Sequence, residues 1–465
     1  MKHLYIEKYK LMYIFAFAIF IIVFLTWSSG TWNDLHGNNY ESFIFPWVIA
    51  SLVFNIASII LLKKATYIDI GLIFISSSYL FMFGRVFLNE EGGKTTLLWD
   101  PSIYFSEIEK FHSSIYVIVC LTFLTLGYVL DQNINYSNSD INNENVGGLY
   151  YKLGWVYFCI GSIANFLNSA QIIAATVASN NYISYITVNT TGIFDDLAYL
   201  LVPGVVYLLS SKLLAREKAF ALSAFTITYF IITMIFSGSR KIQLFAILTI
   251  VLCFLWTQKR KKISIVRLLG VVVGGILLLN LVYVIRETRF NLNEVLPTFF
   301  ESLSNFKFLG SIFGETFAES GLSFFAVVAV VSNVPSVFPF ELGMTFIRTI
   351  PSALPIGWLV GDFFNKAAST YVINTYTRLP VGASIFGDFY WNFGFIGGVI
   401  CCLIFGLSLS KFANKSISKG KAPIYFSVFY IIMIGLRAGV FELFRPLVMV
   451  TLVPYIIRQV VIRTR

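Results

Sequence analysis

The chain has 465 residues, of which 57% are hydrophobic and only 12% are charged. Because a soluble globular domain has about twice this charged fraction, the composition excludes a cytosolic enzyme. The net charge of +10 comes from 34 basic and 24 acidic residues, and the positions of the basic residues indicate a membrane topology rather than a nucleic-acid partner.

Apolar runs long enough to cross roughly 30 Å of hydrocarbon recur from one end of the sequence to the other. Each run is continuously apolar, whereas the strand of a membrane barrel alternates between apolar and polar residues, so the runs predict helices. The chain is therefore predicted to be an all-α polytopic membrane protein. The twelve predicted spans are residues 11–28, 43–62, 67–86, 114–130, 151–177, 196–211, 219–236, 241–257, 265–285, 386–409, 422–437 and 443–461.

The basic residues predict which side of the membrane each connection faces. Lysines and arginines cluster in alternate connections, most densely at Lys259–Lys262 and Lys411–Lys421. Because cytoplasmic connections are enriched in Lys and Arg, both termini are predicted to be cytoplasmic. The inner connection Asp131–Gly148 contradicts this rule, since it is acidic and rich in Asn.

The longest connection, residues 286–385, is predicted to be a large external loop. It separates spans one to nine, in residues 1–285, from spans ten to twelve, in residues 386–465. Within the loop, the apolar stretch Gly321–Val331 is too short to cross a bilayer, and Phe338–Val360 is interrupted by prolines. Both are predicted to be interfacial or re-entrant helices. A pair of crossings within the loop would raise the number of spans to fourteen.

Charged residues are almost absent from the predicted spans, so the sequence lacks the buried relay that an ion-coupled transporter needs. Charges lie instead at the outer ends of spans and in the large loop. Cations there oppose the charge rule and predict an anionic ligand, because guanidinium groups bind pyrophosphate through planar, multidentate hydrogen bonds. The residues are Arg240, Lys241, Arg286, Arg289, Glu315, Glu319, Arg348, Arg378, Asp388, Arg437, Glu442 and Arg445.

Three short motifs contribute to this predicted anion site. Ser237–Lys241 is predicted to form a tight outer turn in which hydroxyl, amide and guanidinium groups converge. Arg286 and Arg289 are three residues apart and share a face if the preceding helix continues. The third motif is Arg437–Gly439, followed by Arg445. Any single arginine at an interface also has a simpler explanation, since it can extend to the headgroups or pair with a local acid.

Glu319 and Asp388 are the predicted carboxylates of the site. Glycosyl transfer from a pyrophosphate benefits from a carboxylate that accepts the proton of the attacking hydroxyl. An acid at a helix N-terminus is also an ordinary cap, and both interpretations stay open for both residues. Tyr390 is either an aromatic-belt residue or a platform for a sugar. The three histidines are scattered, and neither a metal nor a cofactor is predicted.

Residues 230–440 resemble the Wzy-type O-antigen polymerases, also called oligosaccharide repeat-unit polymerases. The resemblance rests on the order of Gly238–Arg240, the paired arginines Arg286 and Arg289, Glu319–Gly321, Ile350–Pro351, Gly382–Ser384, Gly387–Gly394 and Gly397–Gly398. Some family members carry an arginine followed eleven positions later by a glycine, and no outer arginine here has that spacing.

The resemblance implies a membrane glycosyltransferase with a GT-C-like fold in the bacterial inner membrane. It implies transfer of a growing glycan from undecaprenyl pyrophosphate to a lipid-linked repeat unit at the periplasmic face, without a cofactor. The implied partners are undecaprenyl-pyrophosphate-linked oligosaccharide, membrane lipid, and a chain-length regulator and flippase of the same pathway. By position, Arg240, Arg286, Arg289 and Arg437 bind pyrophosphate, and Glu319 and Asp388 orient or deprotonate the acceptor hydroxyl. Secondary candidates are Lys241, Glu315, Arg348, Arg378, Arg445 and Tyr390.

Two other classes stay open. An O-antigen ligase uses the same donor, but a ligase is expected to carry a histidine in its large outer loop, and residues 286–385 contain none. A repeat-unit flippase or other transporter is expected to have charges within its spans and short loops on both sides, whereas here one loop dominates.

Overall fold

The computed structural model describes residues 2–31, 39–63, 65, 68–91, 101–131, 144–180, 192–237, 241–257, 274, 277, 281, 284, 288, 291–304, 317–318, 320–353, 363–364, 366–378, 381–418 and 421–463. In these residues all regular secondary structure is helical, which confirms the all-α prediction. The α-helices are α1 (Lys2–Thr31), α2 (Tyr40–Lys63), α3 (Ile70–Phe83), α4 (Glu107–Leu130), α5 (Glu144–Ser179), α6 (Gly192–Ala198), α7 (Leu201–Ser210), α8 (Arg216–Ser237), α9 (Lys241–Thr257), α10 (Val295–Ser304), α11 (Phe324–Asn333), α12 (Met344–Thr349), α13 (Ser369–Thr377), α14 (Ile385–Ser418), α15 (Ala422–Ile434) and α16 (Val440–Arg463).

Among the described residues, six helices are long and apolar enough to cross a membrane, namely α1, α2, α4, α5, α8 and α14. Shorter apolar helices include α3, α9 and α15. At 14 residues, α3 rises only about 21 Å, less than the thickness of the hydrocarbon. The chain is therefore a polytopic membrane protein, while the number of twelve spans stays a prediction. Most of the predicted span 265–285 lies outside the described residues.

The predicted span 196–211 is interrupted in the structure. Helix α6 ends at Ala198 and α7 begins at Leu201, with a turn at Tyr199 and Leu200 between them. Pro203 lies in the first turn of α7. A proline ring clashes with the carbonyl group four residues earlier, here that of Tyr199, so a continuous helix is disfavoured at this point.

The chain forms two compact units, each assembled from separate stretches of sequence. Unit 1 consists of Met1–Ser139, Phe317–Lys419 and Gly435–Phe444, and unit 2 consists of Asp140–Thr316, Gly420–Ile434 and Arg445–Arg465. The stretch predicted to be interfacial or re-entrant, Gly321–Val331, forms a 3₁₀ turn and α11 within unit 1. There α11 packs against α4 and α14 and is buried from Phe324 to Val331.

Helices α4 and α14 form the centre of unit 1 and approach each other through glycines. A Cβ atom at position 127 would lie 2.2 Å from the carbonyl oxygen of Leu403. One at position 406 would lie 2.1 Å from the carbonyl oxygen of Leu124. Small residues permit such contact between helix backbones in membranes, where close packing replaces the hydrophobic effect as the source of association.

Gly127→Ala is expected to destabilise the protein by about 1–3 kcal/mol, the usual result of overpacking a close contact. The added methyl group would meet backbone, which cannot rotate away. Gly148→Ala on α5 is the matched control, because a Cβ atom there has no neighbour within 4 Å. Thermal unfolding of both variants in detergent tests the prediction, and equal melting temperatures would contradict the α4–α14 contact.

The acidic connection that contradicts the charge rule begins in a polar cluster of unit 1. The ammonium groups of Lys10 and Lys63 donate to the carbonyl oxygen of Asp131 at 3.3 and 3.0 Å. Asn414 Nδ2 donates to Asp131 Oδ2 at 2.7 Å. Because cations are favourable at a helix C-terminus, the two lysines stabilise both the end of α4 and the acid that follows it.

The core of unit 2 contains several tyrosines where α5 packs against α7. Tyr150, Tyr157 and Tyr207 are buried in one cluster, and the rings of Tyr150 and Tyr157 each meet that of Tyr207 edge-on at 5.6 Å. Gly161 lets α5 approach the beginning of α7, since a Cβ atom there would lie 2.2 Å from the amide nitrogen of Leu201. These contacts fix the position of α5 within the unit.

Candidate functional site

Asp388 lies in the first turn of α14 and has only 4% of its surface exposed. Its Oδ2 accepts a hydrogen bond from the amide of Val440 at 2.6 Å, and its Oδ1 accepts one from the hydroxyl group of Ser369. Val440 is the first residue of α16, and Ser369 is the first residue of α13. The carboxylate therefore joins the N-terminal ends of three helices, where free amides and helix dipoles stabilise negative charge.

Gly439 brings the backbone up to this carboxylate. A Cβ atom at position 439 would lie 2.7 Å from Asp388 Oδ2, so a larger residue would displace the contact. The hydroxyl group of Thr370 donates to Glu442 Oε1 at 3.2 Å and forms a second link between α13 and α16. The glycine of the sequence motif Arg437–Gly439 thus has a packing role, and it places Arg437 two residues from the carboxylate contact.

The structure shows which groups the Asp388 side chain binds, and both interpretations of this residue stay open. Its side chain does not cap its own helix but binds the first amide of α16. A carboxylate has about four sites for accepting hydrogen bonds, and Val440 and Ser369 use two of them. The remaining lone pairs are available for a substrate hydroxyl group, so capping of α16 and proton acceptance are compatible.

One turn and a half after Asp388, α14 is broken at Gly394. This residue has φ 67° and ψ −164°, a conformation essentially restricted to glycine. The break frees two carbonyl groups of the preceding turn: Trp391 and Asn392 accept hydrogen bonds from the amides of Glu341 and Leu342 at 3.1 and 3.0 Å. A segment of the predicted external loop is thereby bonded to the broken helix.

The side chain of Asn392 completes this attachment. Asn392 is fully buried; its Oδ1 accepts from the amide of Gly343 at 3.0 Å, and its Nδ2 donates to Thr345 Oγ1 at 2.7 Å and to the Asp388 carbonyl oxygen at 2.8 Å. An amide side chain is needed here because it must donate and accept at the same time. The run Gly387–Gly394 is therefore a structural unit that binds the loop segment Glu341–Thr345 to α14.

The predicted arginines of unit 1 have different surroundings. The guanidinium carbon of Arg437 lies 5.8 Å from the centre of the Phe81 ring, a cation–π distance. Arg348 donates to Glu341 Oε2 at 2.7 Å and is already paired. Arg378 is exposed and has a left-handed backbone conformation, with φ 58°. Of these three arginines, only Arg437 lies in the segment that contacts Asp388, the one that contains Gly439 and Val440.

Two secondary candidates lie in surroundings that suit packing. Arg445 forms an ion pair with Asp196 and belongs to unit 2. Tyr390 is 7% exposed, and its ring meets that of Tyr116 edge-on at 5.0 Å. Tyr390 thus lies in the interior of unit 1 and not at its surface, where an aromatic belt would be.

Several predicted site residues lie outside the described residues, and their roles stay predictions. They are Arg240, Arg286, Arg289, Glu315 and Glu319. Lys241 is the first residue of α9, and its side chain is also outside the described part. Gly321, two residues after Glu319 in the sequence, lies against the turn that follows α3, since a Cβ atom there would lie 2.6 Å from the amide nitrogen of Arg85.

Sequence reasoning did not identify Ser369 or Thr345 as parts of the site. Ser369 is 19 residues from Asp388, and no local pattern links the two. Asn392 stood in the run that carries the family resemblance, but its bonding to the loop was not predictable from that run. In the part of the chain that the structure describes, no three His, Cys, Asp or Glu side chains are placed to bind a metal ion.

A family model described as O-antigen polysaccharide polymerase Wzy matches residues 11–464. No curated protein and no solved structure matches the chain. The family match extends far beyond residues 230–440, where the sequence motifs lie, and covers the helices of both units.

Proposed function

We propose a function from the family to which the chain belongs, the O-antigen polysaccharide polymerase Wzy family. In this proposal, the chain transfers a growing glycan from undecaprenyl pyrophosphate to a new lipid-linked repeat unit at the periplasmic face of the inner membrane. The family match and the long apolar helices make it a membrane-embedded polymerase of oligosaccharide repeat units. The carrier lipid, the face of the membrane and the residue roles below are parts of the proposal.

In the proposed reaction, a hydroxyl oxygen of the acceptor unit attacks the anomeric carbon at the reducing end of the donor glycan. A bond forms between that oxygen and the anomeric carbon, and the bond from the anomeric carbon to the pyrophosphate oxygen breaks. The electron pair leaves with undecaprenyl pyrophosphate, and the hydroxyl proton passes to a carboxylate. Pyrophosphate is a good leaving group, so the protein mainly has to position the acceptor and accept its proton.

The observation that carries this proposal is the buried carboxylate of Asp388. It lies where α13, α14 and α16 begin, and two hydrogen bonds hold it without using all its acceptor sites. A fixed carboxylate in a partly dry site orients a hydroxyl group more strongly than one in water. We assign it the role of orienting and deprotonating the acceptor, with Glu319 as the alternative base.

Donor binding is assigned to Arg240, Arg286, Arg289 and Arg437. Guanidinium groups match the geometry of pyrophosphate and stabilise the charge that grows on it as the anomeric bond breaks. Support comes from Arg437, which lies two residues before Gly439 and therefore close to the segment that contacts Asp388. Arg348 is less suited, because its guanidinium group is paired with Glu341.

The charge pattern supports cytoplasmic termini, a multi-pass inner-membrane topology and a periplasmic site. A GT-C-like fold is proposed from the family resemblance alone. A polymerase of this kind needs a flippase to deliver repeat units and a chain-length regulator to stop elongation, and both are proposed partners.

Cells that lack this chain are expected to display surface glycan of a single repeat unit. Electrophoresis of the extracted lipopolysaccharide, with complementation by the intact chain, measures the distribution of glycan lengths. Loss of a ligase would instead leave polymer on the carrier lipid, and loss of a flippase would leave single units facing the cytoplasm. Long surface chains in the deletion strain would exclude the polymerase assignment.

A further inference from the structure

A polar cluster lies in unit 2, outside the site around Asp388. Three of its members, Asn165, Asn168 and Ser169, lie on α5 at spacings of three and four residues and so share one face. Residues between them on the other face, Phe166 and Leu167, are apolar and 62% and 40% exposed. Helix α5 is thus apolar towards its surroundings and polar towards the neighbouring helices of the unit.

Hydrogen bonds connect this face to α6 and α8. Asn168 Nδ2 donates to Asp195 Oδ1 at 2.7 Å, and the hydroxyl group of Tyr229 donates to Asn165 Oδ1 at 2.7 Å. The Ser169 hydroxyl also donates to Asn165 Oδ1, at 3.3 Å. Helices α5, α6 and α8 therefore contribute polar side chains to two adjacent hydrogen-bonded groups, Asn168 with Asp195 and Asn165 with Ser169 and Tyr229.

The cluster contains an acceptor that has no partner in the described structure. Asn168 is 8% exposed, and its Oδ1 makes no hydrogen bond. A buried acceptor without a donor lowers the stability of the folded protein. Polar side chains within a membrane span are also unfavourable. Asn165, Ser169, Tyr229 and Asp195 are only half-buried, so a ligand can reach the groups around this acceptor.

The chemistry of the cluster suits hydroxyl groups and not phosphate. Asp196, the residue after Asp195, forms an ion pair with Arg445, so a carboxylate already engages this guanidinium group. Amide, hydroxyl and carboxylate side chains together offer both donors and acceptors, as the neighbouring hydroxyl groups of a sugar require.

We propose that Asn168, Asp195 and their neighbours bind a neutral, hydroxyl-bearing sugar of the glycan, with a sugar hydroxyl donating to Asn168 Oδ1. This inference rests on the proposed function, because it takes the glycan as the ligand. The cluster is then a second binding site for sugar. It holds the oligosaccharide through hydrogen bonds and takes no part in forming the glycosidic bond.

The test uses the full chain in detergent and the oligosaccharide repeat unit released from its carrier lipid by mild acid. Asn168→Leu and Asp195→Asn are each expected to weaken binding of this oligosaccharide at least about tenfold, the effect of one lost hydrogen bond to a buried or charged group. Thr176→Val is the matched control on α5, because Thr176 is about two turns away from Asn168 and its buried hydroxyl group donates to the carbonyl oxygen of Ile172 within the same helix. This variant is expected to leave binding unchanged. Melting temperatures identify unfolded variants, and Asp195→Asn decides the outcome if Asn168→Leu does not fold.

Wild-type affinity in folded Asn168→Leu and Asp195→Asn would overturn the inference. It would also fail if the wild-type chain did not bind the oligosaccharide while restoring long glycan to the deletion strain, and the proposed function would then stand. If the wild-type chain did not restore long glycan, the proposed function itself would fail.

Discussion

Asp388→Asn is expected to leave the protein folded and to abolish glycan longer than one repeat unit. Asparagine has the same size as aspartate, and its oxygen can still accept from the Val440 amide, so the ends of α14 and α16 stay joined. It cannot accept a proton from the attacking hydroxyl group. Losing a general base lowers a rate by about 10²–10⁴-fold, enough to remove visible long chains from a lipopolysaccharide gel.

Ser369→Ala is the matched control for this variant. It removes the hydroxyl group that donates to Asp388 Oδ1 but keeps the carboxylate as a base. Shorter chains in reduced amount are expected, together with a small decrease in melting temperature. If Asp388→Asn formed long chains as readily as the wild type, Asp388 would be a structural cap of α16, and Glu319 would become the leading candidate for the base.

Gly394→Ala is expected both to destabilise unit 1 and to stop polymerisation. The conformation at φ 67° and ψ −164° strains any residue with a Cβ atom, at a cost of about 1–3 kcal/mol. The new methyl group would also lie 3.1 Å from the ring of Phe340. Relief of this strain would straighten α14 and withdraw the carbonyl groups that bind Glu341 and Leu342, so the loop segment Glu341–Thr345 would be released from the helix that carries Asp388.

Gly387→Ala provides the comparison for this variant. Gly387 is in the same helix, one residue before Asp388, but a Cβ atom there would have no neighbour nearer than Val330 Cγ2 at 3.4 Å, an ordinary contact. Alanine is also the better helix former. Wild-type melting and polymer length are expected for Gly387→Ala and not for Gly394→Ala, and equal behaviour of the two variants would contradict the role of the break.

The sequence was sufficient for the features that depend on local composition. Long apolar runs require helices in a bilayer because lipid offers no hydrogen-bond partners to the backbone, and α1, α2, α4, α5, α8 and α14 confirm this. The ordered motifs of residues 230–440, among which Gly387–Gly394 was the most informative, were also sufficient to recognise the family, which the match over residues 11–464 confirms. Arg240, Arg286, Arg289 and Glu319 stay sequence predictions.

The tertiary structure decided which charged side chains are already engaged and which residues meet. Arg348 pairs with Glu341, seven residues earlier, and Arg445 pairs with Asp196, 249 residues earlier. Ser369 and Val440 reach Asp388 from 19 and 52 residues away. Such contacts depend on how helices pack, and helical periodicity records which face of a helix is apolar but not which partner that face meets.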